Sequence, residues 1–251
     1  MTDPSPADWD AATYDRISDP QARWGREVLG RLPLRGEEAV LDAGCGSGRV
    51  TEQLAERLRD GRVIALDASA SMLAEARRRL ARFGNRVEYL QADLREPLPL
   101  ARPIDAVFST ATFHWIVDHD ALFANLAAVL APAAWLVAQC GGRGNIGAVG
   151  AALHELGLGL GEVYFAGAEE TRQRLERAGF TGIETWLSEE PVAFHDDEEL
   201  QTFLATVVLR QHIAFMGDGE REALVRAVAR RLPNRTIDYV RLNITARRAI
   251  A

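Results

Sequence analysis

The chain turns on residues 39–50, Ala39-Val40-Leu41-Asp42-Ala43-Gly44-Cys45-Gly46-Ser47-Gly48-Arg49-Val50, where an apolar run breaks into three closely spaced glycines and then becomes helical. This reads as a short buried strand, a tight loop, and a helix whose N-terminal N–H groups face whatever lies over the loop. Without a Cβ, Gly44, Gly46 and Gly48 let the backbone turn sharply and approach a ligand closely. A nucleotide-like molecule suits such a loop.

Two more strand-like runs at fixed distances from the glycines sharpen this. Arg62–Asp67 reads as a second strand ending in a carboxylate roughly 20 residues after the glycines, the separation expected of an acid that accepts both ribose hydroxyls. Val87–Leu94 reads as a third strand, and it too finishes on an acid, Asp93. Asp42, Asp67 and Asp93 therefore fall at one edge of the sheet.

Asp42-Ala43-Gly44-Cys45-Gly46-Ser47-Gly48, Asp67 and Asp93 together resemble the successive motifs of the class I S-adenosylmethionine-dependent methyltransferases, closely over about residues 37–140 and in outline beyond. The resemblance implies a doubly wound, mostly parallel seven-stranded α/β sheet (Rossmann-like), with an antiparallel last strand and a helical cap. It implies that Asp42, Gly44, Cys45 and Gly46 hold the methionine part of S-adenosylmethionine, that Asp67 holds the ribose, and that Asp93 with Leu94 meets the adenine. Ala68, Met72 and Ser109 complete that cofactor set. The competing reading is a dinucleotide fold, which wants a third glycine three positions after the second and a helix dipole aimed at a pyrophosphate. Here the second and third glycines are two apart, and Asp42 would repel a diphosphate but suit an ammonium or sulfonium group.

Composition narrows the partners. A net charge of -7 over 251 residues argues against nucleic acid or an anionic membrane as the main partner. The sequence contains no Lys, which excludes lysine Schiff-base chemistry. Two cysteines, Cys45 and Cys140, make no disulfide framework, and neither a leader-like segment nor a run of membrane-spanning length is present. The expectation is a cytoplasmic monomer or homodimer acting on a small molecule, with no metal.

One domain is expected over 1–251: an N-terminal lid segment and helix (1–36), a core (37–195 and 235–251) and a helical cap insertion (196–234). Asp19-Pro20 signals a helix start, with Trp24, Val28 and Leu32 on one stripe. That stripe packs on the sheet, although the resemblance makes Tyr14, Gln21 and Trp24 candidates for a lid over the methionine end. Pro132-Ala133-Ala134 stands where relatives turn through Pro-Gly-Gly. Asp196 with Glu199 reads as a helix cap rather than a metal site with His195. In the final strand, Val240, Leu242, Ile244 and Ala246 alternate with polar residues, as in a half-buried antiparallel strand.

The segment Phe113-His114-Trp115-Ile116 after the fourth strand resembles that of methyltransferases acting on trans-aconitate, juvenile hormone acid or malonyl thioesters. Phe113 and Trp115 would wall the substrate pocket, and His114 would donate to an acid or act as base toward a neutral nucleophile. His114 and Trp115 could instead simply pack at the start of the next helix. Arg143 and Asn145 in a glycine-rich loop read as mobile substrate contacts, and Tyr164 adds another. The leading expectation is O-methylation of a carboxylate. The alternatives are N-, C- or hydroxyl-O-methylation of another metabolite, or a scaffold that binds the cofactor without turnover.

Overall fold

The computed structural model describes the backbone of residues 19–250 and the side chains of 23–250. Residues 1–18, with Tyr14, and the side chain of Gln21 lie outside it, so their expected lid role falls outside the described residues.

Seven strands form the main sheet: β1 (Ala39–Ala43), β2 (Arg62–Asp67), β3 (Val87–Gln91), β4 (Ile104–Thr110), β5 (Leu130–Gly141), β6 (Phe180–Glu189) and β9 (Val240–Arg248). Their order is β3-β2-β1-β4-β5-β9-β6, and β9 is antiparallel to both of its neighbours. The expected architecture stands. Two short strands, β7 (Val192–Ala193) and β8 (Thr236–Ile237), pair separately at the two ends of the helical segment between them.

Helices cover both faces, which is why β1 and β2 read as nearly unbroken apolar runs. On one face Val40, Val63, Ala65, Phe108 and Val137 pack under α1 (Asp19–Arg31), α2 (Arg49–Arg57) and α3 (Ala70–Leu80). On the other, Leu41, Ile64, Leu66, Val107 and Leu136 meet α4 (His119–Val129) and α6 (Ala168–Arg177). Ser69 caps α3 by accepting from the Met72 N–H, and Asp118 caps α4 through the Ala121 N–H.

A third core lies beside the sheet. It joins Trp24 of α1 to α5 (Gly147–Glu155), α7 (Asp197–Phe203) and α9 (Asp218–Ala229), with Leu153, Phe203, Leu204 and Val228 fully buried. The stripe Trp24, Val28, Leu32 is thus buried as expected but divided: Val28 and Leu32 serve the sheet, Trp24 this third cluster. The first of the two expected cap helices is broken. After α7 the chain makes a π turn over Leu204–Val208 and a short helix, α8 (Arg210–Ile213), where the β-branched run Thr206-Val207-Val208 crowds an α-helix. Asp196 accepts from the Glu199 N–H and Glu199 accepts from the His195 N–H, the capping role expected of that pair.

One further expectation needs correction. The final strand is not half-buried: Arg241 and Asn243, on its polar side, are 3% and 0% exposed, because β9 is an interior strand with helix α1 packed near it. Ala133 adopts φ +62, a left-handed conformation that carries a steric penalty for a residue with a Cβ. Among the described residues no helix is long and apolar enough to cross a membrane.

Candidate active site

Parallel strands present their C-terminal ends at one edge, and open α/β sheets bind ligands there. The glycine loop between β1 and α2 lies at that edge, fastened by the Gly44 and Cys45 N–H groups to the Leu66 carbonyl at 2.9 and 2.8 Å. Its glycines do different work. A Cβ on Gly44 (φ +87) would lie 2.1 Å from the Thr112 Oγ1, so this glycine admits the loop after β4; a Cβ on Gly46 (φ +54) would meet nothing within 4 Å. The loop is therefore open over Gly46.

The three acids have distinct environments. Asp42 is 2% exposed beneath the loop and accepts from the Thr51 hydroxyl at 2.7 Å. Burial, with a smaller effect of the Asp67 charge and against the Thr51 bond, pushes its carboxyl up to about 7. Asp67 is half-buried and accepts from the Gly46 and Ser69 N–H groups, both at 2.9 Å. Burial outweighs those bonds and raises its pKa. Asp93 lies past the end of β3 and is gripped by its neighbour, accepting from Arg95 Nε at 2.9 Å and Nη2 at 2.7 Å. Burial would raise it, but the Arg95 bonds hold it below the ordinary carboxylate range.

The other residues of the expected cofactor set have these surroundings. Ser109 donates to the Ala43 carbonyl at 2.6 Å, tying the tips of β4 and β1 together. Met72 and Leu94 are buried, Leu94 within the α4 and α6 core. Ala68 is half-buried and accepts from Gln91 through its carbonyl. The Cys45 thiol is buried and held well above its ordinary pKa, so it is no nucleophile. Trp24 donates to Glu190 at 3.3 Å and packs edge-on against Tyr239.

Beyond β4, Ala111 takes φ +56 and opens a single 3-10 turn, Phe113–Trp115. Phe113 points into the core, fully buried against Phe123, and so walls no pocket. His114 sits between two rings, Trp115 (centroids 4.9 Å apart) and Phe165 (6.0 Å, stacked). Its Nδ1 accepts from the Gly141 N–H at 3.4 Å, and its carbonyl accepts from the Tyr164 N–H at 2.9 Å. A backbone N–H can only donate, so the proton of neutral His114 resides on Nε2. Burial, then the Arg241 charge, then His119 push its pKa down to about 3. His119 supports the turn from below: its Nε2 lies 3.0 Å from the Phe113 carbonyl, and its ring packs edge-on against Tyr164.

The glycine-rich loop after β5 is pinned. Asn145, 4% exposed, accepts from the Val240 N–H at 3.0 Å, and the N–H groups of Gly142, Arg143 and Ile146 each find a carbonyl. A Cβ on Gly142 would lie 2.5 Å from Leu187, so this glycine serves packing. Asn145 is thus a structural residue. Arg143 is exposed and pairs with Glu170 at 3.0 Å; Glu170 also accepts from the Tyr164 hydroxyl, which in turn accepts from Arg174.

Against this geometry, a methyltransferase domain model matches residues 40–133. The chain is 40% identical over 131 residues to trans-aconitate 2-methyltransferase of Azoarcus sp. (strain BH72), covering 52% of this chain and 50% of that protein. It spans about half the length of the curated relatives it matches. A putative methyltransferase from Bacillus halodurans has a TM-score of 0.65 at 17% identity, covering 90% of this chain and 99% of that one. The [4+2]-cyclase SpnF has a TM-score of 0.64 at 20% identity over 92% and 82%. Such distant likenesses show the fold alone, and a cyclase among them illustrates that the fold does not dictate the chemistry.

The methyltransferase domain match ends before Gln139, Phe165 and Arg241, three residues that shape the surroundings of His114 and that sequence reading missed. Gln139 is 2% exposed, donates to Asn243 at 2.8 Å and accepts from Arg241 Nε at 3.4 Å. For Arg241 the available signal was the alternation of polar residues along β9, and for Gln139 a lone polar residue in an apolar strand.

Proposed function

We propose that this chain is an S-adenosylmethionine-dependent methyltransferase that O-methylates a carboxylate of a small acid, as the name of its trans-aconitate 2-methyltransferase relatives suggests. The residues fit the donor. There is open space over Gly46, the Asp67 carboxylate stands at the neighbouring strand tip, and Asp42 beneath the loop would be ionised by an ammonium or sulfonium group. When bound, S-adenosylmethionine supplies an electrophilic methyl group on a sulfonium.

The observation that carries the choice of acceptor is the state of His114. With Nδ1 engaged by Gly141 and a pKa of about 3, the ring offers an N–H and is a poor base. A phenol, alcohol or ammonium acceptor must lose a proton; a carboxylate at neutral pH has none to lose. His114 Nε2–H would orient one carboxylate oxygen while leaving the other to react, and Trp115 and Phe165 would exclude water around it. The 196–234 segment is the cap over this edge. Buried thiols at Cys45 and Cys140 suit a reducing, cytoplasmic setting.

Incubation with methyl-labelled donor and a panel of small acids, phenols and amines tests this, with trans-aconitate first among the acids. Label in a base-labile methyl ester is the expected product. Methylation confined to phenols or amines would overturn the reading, and tight donor binding with no transfer to any acceptor would favour a scaffold.

A further inference from the structure

A cavity of about 510 Å³ opens between α7 and the end of α9. Three arginines line it, Arg226, Arg230 and Arg235, with Gln201, Asn234 and a single acid, Asp197. None of these residues belongs to the glycine loop or to the surroundings of His114, so the cavity is separate from the site described above. Clefts of this size hold small molecules. The ion pairs that the arginines make leave them within reach of one. Arg226 meets Glu222 on its own helix at 3.2 Å and Arg235 lies 3.7 Å from Asp197, all four side chains being well exposed. Such pairs add little net stability. Arg230 forms no ion pair among the described residues. Three cations facing one acid across a shared cavity repel one another, and an anion between them would remove that repulsion.

The backbone delivers Arg235 at a cost. Asn234 and Arg235 are consecutive and both take φ +51, the left-handed region that disfavours residues with a Cβ. Asparagine tolerates that region; arginine does so less well. The turn itself is needed, because the Arg235 carbonyl accepts from the Phe194 N–H at 3.0 Å. Glycine would serve that bond without the penalty, so what arginine contributes is its side chain, and that side chain lines the cavity. Basic residues also suit the negative end of a helix, which accounts for Arg226 and Arg230 on and just after α9 but not for Arg235 in the turn beyond. Three guanidinium forks offer more N–H donors than the two oxygens of a carboxylate can accept, whereas a phosphate ester presents three acceptor oxygens and about two negative charges. We propose that this cavity is a second ligand site that takes the phosphate group of a small molecule, with Arg230 and Arg235 as its main donors and Asp197 limiting its affinity. The site stands whichever acceptor is methylated.

Titration calorimetry of the full chain with pyrophosphate reads the site directly, with S-adenosylhomocysteine saturating so that the glycine loop is occupied. Wild type should show one saturable site per chain at physiological ionic strength. Arg230→Gln and Arg235→Gln should each weaken it by about tenfold, the worth of a charge-assisted hydrogen bond, and Asp197→Asn should tighten it by about threefold or more. Arg235→Gly removes the side chain and relieves φ +51 together, so it should weaken binding by the same factor without lowering Tm, which separates a lost ligand contact from a lost fold. Arg172→Gln removes an arginine on α6 that does not line the cavity and should change the affinity by less than about twofold. Wild type that does not saturate, an affinity unmoved by the Arg230 and Arg235 substitutions, or an equal loss in Arg172→Gln overturns the site.

Discussion

The Thr51 hydroxyl donates to the Asp42 carboxylate at 2.7 Å beneath the glycine loop, and both residues are buried. The bond only partly offsets the burial of a carboxylate, and Asp42 titrates near pH 7 in the folded chain rather than near its ordinary 3.8. Between those values the folded protein holds a proton that the unfolded chain has lost, so stability falls as pH rises through the window, by up to about 1.4 kcal/mol per pH unit. Below about pH 4 the effect vanishes. Asp42→Asn should therefore raise the melting temperature at pH 8 and leave it unchanged at pH 4. Thermal melts at both pH values check this.

The same carboxylate should couple donor binding to pH. If the donor's cationic end needs Asp42 ionised, affinity for S-adenosylhomocysteine, which shares the ammonium group, weakens below pH 7 by up to about tenfold per unit. Asp42→Asn should bind weakly at every pH. Titration calorimetry at pH 5.5, 7 and 8.5 reads this directly, and a flat wild-type profile would remove Asp42 from the donor site.

His114 should impose no acidic limb on turnover. With its pKa at about 3, kcat at saturating donor and acceptor should stay level from pH 5.5 to 9, whereas a histidine base of ordinary pKa would give a limb near 6.5. His114→Ala should lower kcat/KM for an acid by about 10- to 100-fold, the worth of one hydrogen bond to a charged group.

Gly44 and Gly46 should separate fold from binding. Gly44→Ala drives a methyl group into Thr112 at φ +87 and should cost more than about 2 kcal/mol of stability. Gly46→Ala has open space around it and should cost only about 1 kcal/mol of backbone strain while sharply weakening donor affinity. Denaturant melts paired with calorimetry distinguish the two.

Ala133→Gly, at the opposite edge of the sheet from the candidate site, relieves φ +62 and should stabilise the fold by about 0.5–1 kcal/mol, about 1–4 °C in Tm, with turnover unchanged.

Local chemistry made much of this legible. The strand-glycine-helix unit and the acids at positions 42, 67 and 93 follow from side-chain periodicity and backbone freedom within short windows. The misread residues depend on what arrives from elsewhere. Asn145 looks like a mobile loop contact until Val240 supplies the N–H that it caps, and Phe113 looks like a pocket wall until α4 presents Phe123.

The sequence by itself determined a strand, a glycine loop and a helix with acids at neighbouring strand tips, because glycine spacing and apolar runs act through neighbouring residues, and the doubly wound sheet is what the resemblance of those motifs implies. Tertiary structure alone decided that His114 is a donor, that Asp42 is hard to ionise, and that a charge sits beside both rings of Trp24 and Tyr239. Protonation and burial are set by groups brought together from distant parts of the chain: Gly141 meets His114 once β5 has paired with β4, and the Arg241 charge reaches it once β9 has paired with β5.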